Sequence, residues 1–154
     1  MRKNFVKIQF GGFVALSAYI ISISRRLFFY AYSNNYRGQM DSISYNLTPF
    51  KTILNYLQNS ANVGFDVWLY NLAGNVAAFI PLGFLLPLAF SGFRTIKTFI
   101  VAFILILCAE ALQLVSRRGV FDVDDIILNM LGSMIGYSIY KFFSIMFKDR
   151  RQKI

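Results

Sequence analysis

Four long runs of apolar residues dominate the chain, and most of its polar residues lie between them. The runs cover about residues 8–24, 66–90, 98–115 and 126–147. A helix needs about 20 apolar residues to cross roughly 30 Å of hydrocarbon, so each run is long enough for one crossing. The pattern therefore predicts an all-α, integral membrane four-helix bundle formed by a single domain over residues 1–154.

The first run resembles a secretory signal peptide, because basic residues precede an apolar centre. The residues that follow it, Ile23-Ser24-Arg25-Arg26, form a poor cleavage site. We therefore predict that the run is retained as a membrane span. The longest polar stretch, Tyr32 to Gly64, comes next, and within it the residues from Phe50 to Leu57 are predicted to form a short interfacial helix.

The composition agrees with a membrane location. The chain is 56% hydrophobic and only 15% charged, whereas soluble domains average about 25% charged residues. There is no histidine, which excludes histidine-based metal sites and the Ser–His and Cys–His pairs of nucleophilic catalysis. Cys108 is the only cysteine, so no intrachain disulfide can form.

The basic residues predict the orientation of the bundle. The formal net charge is +9, and the basic residues flank the apolar runs instead of gathering on a polar segment. With four crossings, ten of the 16 basic residues lie on the side of the N-terminus and six on the other side. The positive-inside rule then places both termini in the cytoplasm. The same distribution explains the charge without nucleic acid, and no nucleic-acid partner is predicted.

Polar residues inside three of the runs converge on one depth. Glu110 interrupts an apolar run, and a carboxylate at the centre of a span costs roughly 2.5–3.5 kcal/mol on insertion scales. A helical rise of about 1.5 Å per residue places Glu110 roughly 10 Å below the outer boundary. Asn71, Asn75 and Asn129 enter the second and fourth spans from the same side to comparable depths. These residues are therefore expected to meet in the outer half of the bilayer.

The spacing of these residues along each helix keeps them on shared faces. Asn71 and Asn75 are four residues apart, as are Asp125 and Asn129, and such neighbours lie on one side of a helix. Facing lipid would be costly, so these faces are expected to point into the bundle. The predicted ligand-binding residues are Asn71, Asn75, Glu110, Gln113, Arg117, Arg118, Asp122, Asp125 and Asn129. Among them, the two arginines at the rim suit a phosphate or carboxylate headgroup.

Structural roles are open alternatives for several of these residues. Asn71 and Asn75 can hydrogen-bond between helices, and Asp122 can be the N-cap of the fourth helix with Asp125 in its first turn. Asp122, Asp124 and Asp125 also supply the oxygen ligands that Mg²⁺ or Ca²⁺ prefers. Three nearby acids without a spacing rule are weak evidence for a metal, and no other cofactor is predicted.

Small residues and prolines predict how the spans pack. Gly74, Gly132 and Gly136 are expected to allow close approach of helix backbones, the last two forming a small-xxx-small pair. Pro81 and Pro87 are expected to kink the second span and to free carbonyl groups near its middle.

Four sequence blocks carry a family resemblance. They are Asn46-Leu-Thr-Pro-Phe50, Asn71-Leu-Ala-Gly-Asn75 continuing to Gly83, Glu110-x-x-Gln113 followed by Arg118, and Asp122-x-Asp124-Asp125-Ile-Ile-Leu-Asn129-x-x-Gly132 ending at Gly136-Tyr137. In their order and spacing the chain resembles the VanZ-like family of small bacterial membrane proteins. One departure is Met130, where the family more often has a small hydroxyl residue.

The resemblance implies a multi-pass helical protein of the bacterial cytoplasmic membrane, in a family whose founding member is associated with low-level teicoplanin resistance. It also implies functional importance for the matching positions, which are Asn71, Asn75, Glu110, Gln113, Arg118, Asp122, Asp125 and Asn129. Two functions follow as hypotheses. The first is binding of a lipid-linked or lipoglycopeptide ligand in an outer-leaflet polar pocket. The alternative is an intramembrane enzyme that acts on a lipid-linked phosphate or ester, with Glu110 as acid or base. Ligand identity and oligomeric state are open at this stage.

Overall fold

The computed structural model describes residues 2–27, 44–58, 65–116 and 119–152. Within these ranges it describes all side chains except those of 2–5, 65–68, 70 and 147–152. Five helices make up most of the described residues. A two-residue parallel strand pair accompanies the helices. The elements are α1 (Arg2–Arg25), β1 (Tyr45–Asn46), α2 (Lys51–Gln58), α3 (Phe65–Ala89), α4 (Thr95–Val115), β2 (Phe121–Asp122) and α5 (Val123–Gln152).

Four of these helices are long and apolar enough to cross a membrane. The candidate spans are Val6–Arg25, Asn71–Ala89, Thr95–Val115 and Val123–Met146. Large apolar side chains such as Phe103, Ile104 and Phe142 are exposed on their outer surfaces, as expected where lipid takes the place of water. The all-α, multi-pass membrane class predicted from the sequence is confirmed, whereas the side on which the termini lie stays a prediction.

The closest packing in the bundle joins α3 and α5. A Cβ atom on Gly132 would overlap the carbonyl oxygen of Val76, and one on Gly136 would overlap that of Ile80. Because both pairs are four residues apart, the two backbones touch over a full helical turn. The predicted close approach of helix backbones is confirmed for the small-xxx-small pair Gly132 and Gly136. It was wrong for Gly74, where a Cβ would meet nothing within 4 Å.

Hydroxyl groups on α1 and α5 donate to backbone carbonyls of α3 just before Pro81. The helix continues through Pro81 and Pro87, although a proline lacks the N–H that would bond the preceding turn. In that preceding turn the Tyr19 hydroxyl donates to the Ala78 carbonyl at 2.9 Å, and the Ser133 hydroxyl donates to the Phe79 carbonyl at 3.4 Å. The carbonyl that Pro81 leaves without its helical donor is that of Ala77, so these two bonds tie α1 and α5 to α3 and do not replace the missing one.

The apolar core lies along the middle of the bundle and sets the mutual position of its helices. Residues from α1, α3, α4 and α5 contribute to it, so the four spans pack as one unit. Its buried members are Leu16, Phe79, Leu82, Leu86, Ala89, Ala102, Ile106 and Ile126. The buried polar residues Glu110, Asp122, Asp124 and Asn129 occupy the end of the bundle where α4 finishes and α5 begins.

Candidate functional site

The segment formed by β1 and α2 is attached to the start of α5. Tyr45 pairs with Phe121 and Asn46 with Asp122 in the parallel strand pair, and the Phe121 N–H donates to the Ser44 carbonyl at 3.3 Å. Two-residue strands leave no periodic signature in a sequence, so the apolar pattern does not predict this pairing. It brings residues 44–58 against the acidic segment that opens α5.

Asp124 holds the N-terminus of α2 from a distant part of the chain. Its side chain is completely buried, with Oδ1 accepting from the Phe50 N–H at 2.5 Å. Its Oδ2 accepts from the N–H groups of Thr52 at 2.7 Å and Ile53 at 3.1 Å. The first N–H groups of a helix have no partner within the helix, and a carboxylate also favours the positive end of the helix dipole. Asp124 therefore supplies to α2 the cap that a neighbouring residue usually provides.

The backbone of Phe50 is strained in this arrangement. Its φ of 64° lies in the left-handed region, which a bulky residue rarely adopts and which costs on the order of 1–3 kcal/mol. The bond from its N–H to Asp124 helps to hold this conformation. The strain marks the junction of β1 and α2 as a segment held in place by its contacts with α5.

Asp122 performs two structural roles at once. Its Oδ1 accepts the Asp124 N–H at 2.9 Å, which makes Asp122 the N-cap of α5. The same carboxylate accepts from the Asn46 amide at 3.0 Å and from the Thr52 hydroxyl at 2.6 Å. The structural alternative that the sequence left open for Asp122 is therefore present, and Asp122 joins β1, α2 and α5.

The carboxylates considered for a metal ion face different partners. Asp124 is occupied by backbone N–H groups of α2, whereas Asp125 accepts from the Asn75 amide of α3 at 2.5 Å. In the part of the chain that the structure describes, no three acidic or cysteine side chains gather closely enough to hold a metal ion. The hypothesis of an Mg²⁺ or Ca²⁺ site at Asp122, Asp124 and Asp125 gains no support from this geometry.

Polar residues from α3, α4 and α5 meet beside this junction. The bond between Asn75 and Asp125 joins α3 to α5. From α4, the Glu110 carboxylate accepts the backbone N–H of Asp122 and lies near the carboxylates of Asp125 and Asp122. Of the residues expected from helical depth to meet, Asn75 and Glu110 both lie beside Asp125, a residue outside that prediction.

Two acceptors in this region have no hydrogen-bond partner among the described residues. They are Oε2 of Glu110 and Oδ1 of Asn129, and the side chains that carry them are 4% and 3% exposed. A buried polar atom without a partner costs roughly 1–3 kcal/mol. Polar groups kept inside a membrane at such a cost are candidates for function.

A polar cavity opens next to the cluster, between β1, α2, α3 and α5. Its volume is about 380 Å³, within the ~300–1,000 Å³ range of small-molecule sites. Three of the predicted residues line it, namely Asn71, Asp122 and Asp125. Its other polar walls include Asn46, Lys51, Thr52 and Tyr56. We call this cavity the junction pocket.

The remaining predicted residues lie around the junction pocket or outside the described part. Asn75, Glu110 and Asn129 are not among its lining residues, although Asn75 is bonded to Asp125 in its wall. Gln113 lies at the end of α4 near Gly119, whose Cβ would be 3.4 Å from that of Gln113. Arg117 and Arg118 lie outside the described residues.

Sequence reasoning missed the contribution of β1 and α2. Asn46, Lys51, Thr52 and Tyr56 line the junction pocket, but none was predicted as a site residue. A signal was present for one of them, because the block from Asn46 to Phe50 was part of the family resemblance. Nothing in the local pattern connects the other three with α5.

Comparisons with known proteins agree with the resemblance. The chain matches the VanZ/LLP1 family over residues 13–144. It is similar to Protein VanZ of Enterococcus faecium, with 30% identity over 97 residues, which is 63% of this chain and 52% of that protein. The chain therefore aligns with about half the length of this relative. No solved structure gives a significant match. Because the family match extends over most of the sequence, from α1 into α5, the chain belongs to the VanZ/LLP1 family.

Proposed function

We propose that this chain is a cell-envelope protein of the bacterial cytoplasmic membrane that binds the polar end of a lipid-linked or lipoglycopeptide ligand in the junction pocket. One observation carries the proposal: a polar cavity of about 380 Å³ lies at the end of membrane-spanning helices. A ligand with a polar head and apolar chains matches both environments. The family relationship supports low-level teicoplanin resistance as the biological readout.

The walls of the junction pocket favour one orientation of such a ligand. Lys51 is exposed, and a cation in that position suits a phosphate or carboxylate. The walls also carry the carboxylates of Asp122 and Asp125, which repel an anion and accept bonds from hydroxyl or amide groups. The anionic group of the ligand is therefore placed beside Lys51, with its neutral polar substituents toward the aspartates.

Part of the pocket is rigid before any ligand enters. Asp122 is held by Asn46 and Thr52, and Asp125 is held by Asn75. Groups that are already positioned lose little conformational freedom on binding, which favours affinity. This arrangement supports a binding role for the pocket.

Binding is preferred to catalysis because of where Glu110 lies. An acid or base must be within hydrogen-bonding reach of the group that it serves. Glu110 does not line the junction pocket, and its side chain is only 4% exposed. The enzymatic alternative would be favoured if purified protein converted a polyprenyl-linked phosphate or ester and the Glu110→Gln variant did not.

The proposal is tested with matched lysine variants in a teicoplanin-sensitive host. Lys51→Gln removes the cation of the pocket, whereas Lys97→Gln removes an exposed cation from the opposite end of the bundle, near the start of α4. At equal membrane abundance, Lys51→Gln is expected to reduce resistance and Lys97→Gln to preserve it. Equal resistance in all three strains would contradict a role for the pocket.

A direct binding measurement covers ligands other than teicoplanin. Native mass spectrometry of the purified protein identifies envelope lipids that co-purify with it. We expect Lys51→Gln and Tyr56→Phe to lower the occupancy of such a lipid relative to Lys97→Gln. If occupancy depends on none of the pocket residues, the ligand binds elsewhere.

A further inference from the structure

The short helix α2 has three faces with different chemistry. Successive residues of a helix are rotated by about 100°, which separates its side chains into stripes. The inner stripe, Thr52, Ile53 and Tyr56, is partly buried against the bundle. The outer surface is divided into an apolar strip (Leu54 and Leu57) and a polar strip (Lys51, Asn55 and Gln58), all of them exposed.

The apolar strip has no cover within the described part of the chain. Leu54 is 49% exposed and Leu57 50%, three residues apart on the helix, and Phe50, just before the helix begins, is 54% exposed. In a water-facing helix the outer surface would be polar. An outer surface that is half apolar and half polar is typical of a helix that lies in the plane of a membrane interface.

We propose that α2 lies in the interface of one leaflet, with its apolar strip against the acyl chains and its polar strip in the headgroup layer. The occupant of the apolar strip is the lipid of the bilayer itself. With eight residues, α2 is about 12 Å long, far too short to cross roughly 30 Å of hydrocarbon. It therefore lies along the boundary of the membrane.

The contacts of α2 place it at that boundary. Asp124, in the first turn of the membrane-spanning helix α5, binds three N–H groups at or beside the start of α2. Helix α2 also packs against α3 as well as α5. Helix α2 therefore lies against two spans, and its level in the membrane is set by the end of α5 to which it is bonded.

This position has a consequence that rests on the proposed function. The side of α2 that carries Thr52 and Tyr56 lines the junction pocket, whereas Leu54 and Leu57 point away from it. Helix α2 therefore stands between the pocket and the acyl chains and holds the pocket at headgroup depth. A ligand is then taken from the leaflet, with its chains beside the apolar strip.

The test measures the depth of adjacent positions on α2. Cys108, the only cysteine, is replaced in the full-length protein by Cys108→Ser, and single labels are introduced through Leu57→Cys, Gln58→Cys or, as a deep control in α4, Phe103→Cys. The fluorescent variants are reconstituted into phosphatidylcholine–phosphatidylglycerol vesicles. They are quenched with a nitroxide on the upper acyl chain and, separately, with aqueous iodide.

An interfacial helix buries one face by about 5–10 Å, so the lipid nitroxide is expected to quench the label at 57 at least about twofold more than the label at 58. Aqueous iodide is expected to quench the label at 58 more than the label at 57. Iodide quenching of both α2 labels without lipid quenching would overturn the proposal, as would lipid quenching of both to the level of the deep control. A second pair, Leu54→Cys and Asn55→Cys, repeats the comparison if either first variant melts below the parent. No ligand is involved, so the failure of this proposal is distinguishable from a failure of ligand binding.

Discussion

Replacing Asp124 by asparagine is expected to release the β1–α2 segment while the membrane bundle stays folded. The aspartate accepts three backbone N–H groups through two oxygens in a fully buried position. An asparagine of the same shape offers one acceptor oxygen and turns an NH₂ group toward the other N–H groups. At least one buried donor of α2 is then left without a partner.

The loss of stability expected for the docked β1–α2 segment follows from these hydrogen bonds. A hydrogen bond to a charged group contributes about 1.5–3 kcal/mol, and an unsatisfied buried donor costs about 1–3 kcal/mol. Because these effects overlap, Asp124→Asn is expected to destabilise the docked segment by about 2–4 kcal/mol. At about 1.36 kcal/mol per tenfold change, amide exchange in residues 44–58 should accelerate by roughly 30- to 900-fold.

Asp122→Asn provides a matched comparison. The partners of Asp122 from β1 and α2 are the Asn46 amide and the Thr52 hydroxyl, which can reorient toward an amide, and asparagine is as good an N-cap as aspartate. A cost below about 1 kcal/mol is therefore expected. Hydrogen-exchange mass spectrometry of both variants in lipid nanodiscs measures the difference. Equal exchange in the two variants, or faster exchange in Asp122→Asn, would refute the assigned role of Asp124.

Three further predictions concern the bundle. Gly132→Ala is expected to lower the free energy of unfolding by about 2 kcal/mol or more, because its Cβ would overlap the backbone of α3. Gly74→Ala should be neutral or stabilising by up to about 1 kcal/mol. Equal melting temperatures for the two variants would contradict the packing. Tyr19→Phe removes the bond to the α3 backbone and should cost about 0.5–1.5 kcal/mol, measured as a fall in the denaturation midpoint; an unchanged midpoint would show that the bond is not formed. Glu110→Gln replaces a buried carboxyl group whose Oε2 has no partner among the described residues. We expect the melting temperature to stay unchanged or rise, so a clear fall would mean that the carboxyl group itself stabilises the bundle.

The sequence predicted the membrane helices well because the signal for a span is local. Twenty consecutive apolar residues bury their backbone polar groups only by forming a helix in lipid. The pair Gly132 and Gly136 was also readable, since their spacing places both on one face. Gly74 shows the limit of this reasoning, because the sequence does not say whether a face meets another helix.

The candidate site could be predicted only in part. Residues inside the spans, such as Asn71 and Asn75, were found because an apolar surrounding makes a polar residue conspicuous. Lys51, Thr52 and Tyr56 lie in a polar stretch where nothing distinguishes them. Their part in the junction pocket depends on the docking of α2.

The sequence by itself determined the four apolar helices and the membrane class of the protein, and it indicated that Glu110 and Asn75 lie near one another. Only the tertiary structure decided that Asp124 caps a helix more than 70 residues away and that α2 forms a wall of the pocket. The physical reason lies in the range of the interactions. Burial in lipid acts on each segment separately, whereas a hydrogen bond between distant segments forms only after the chain has brought them together.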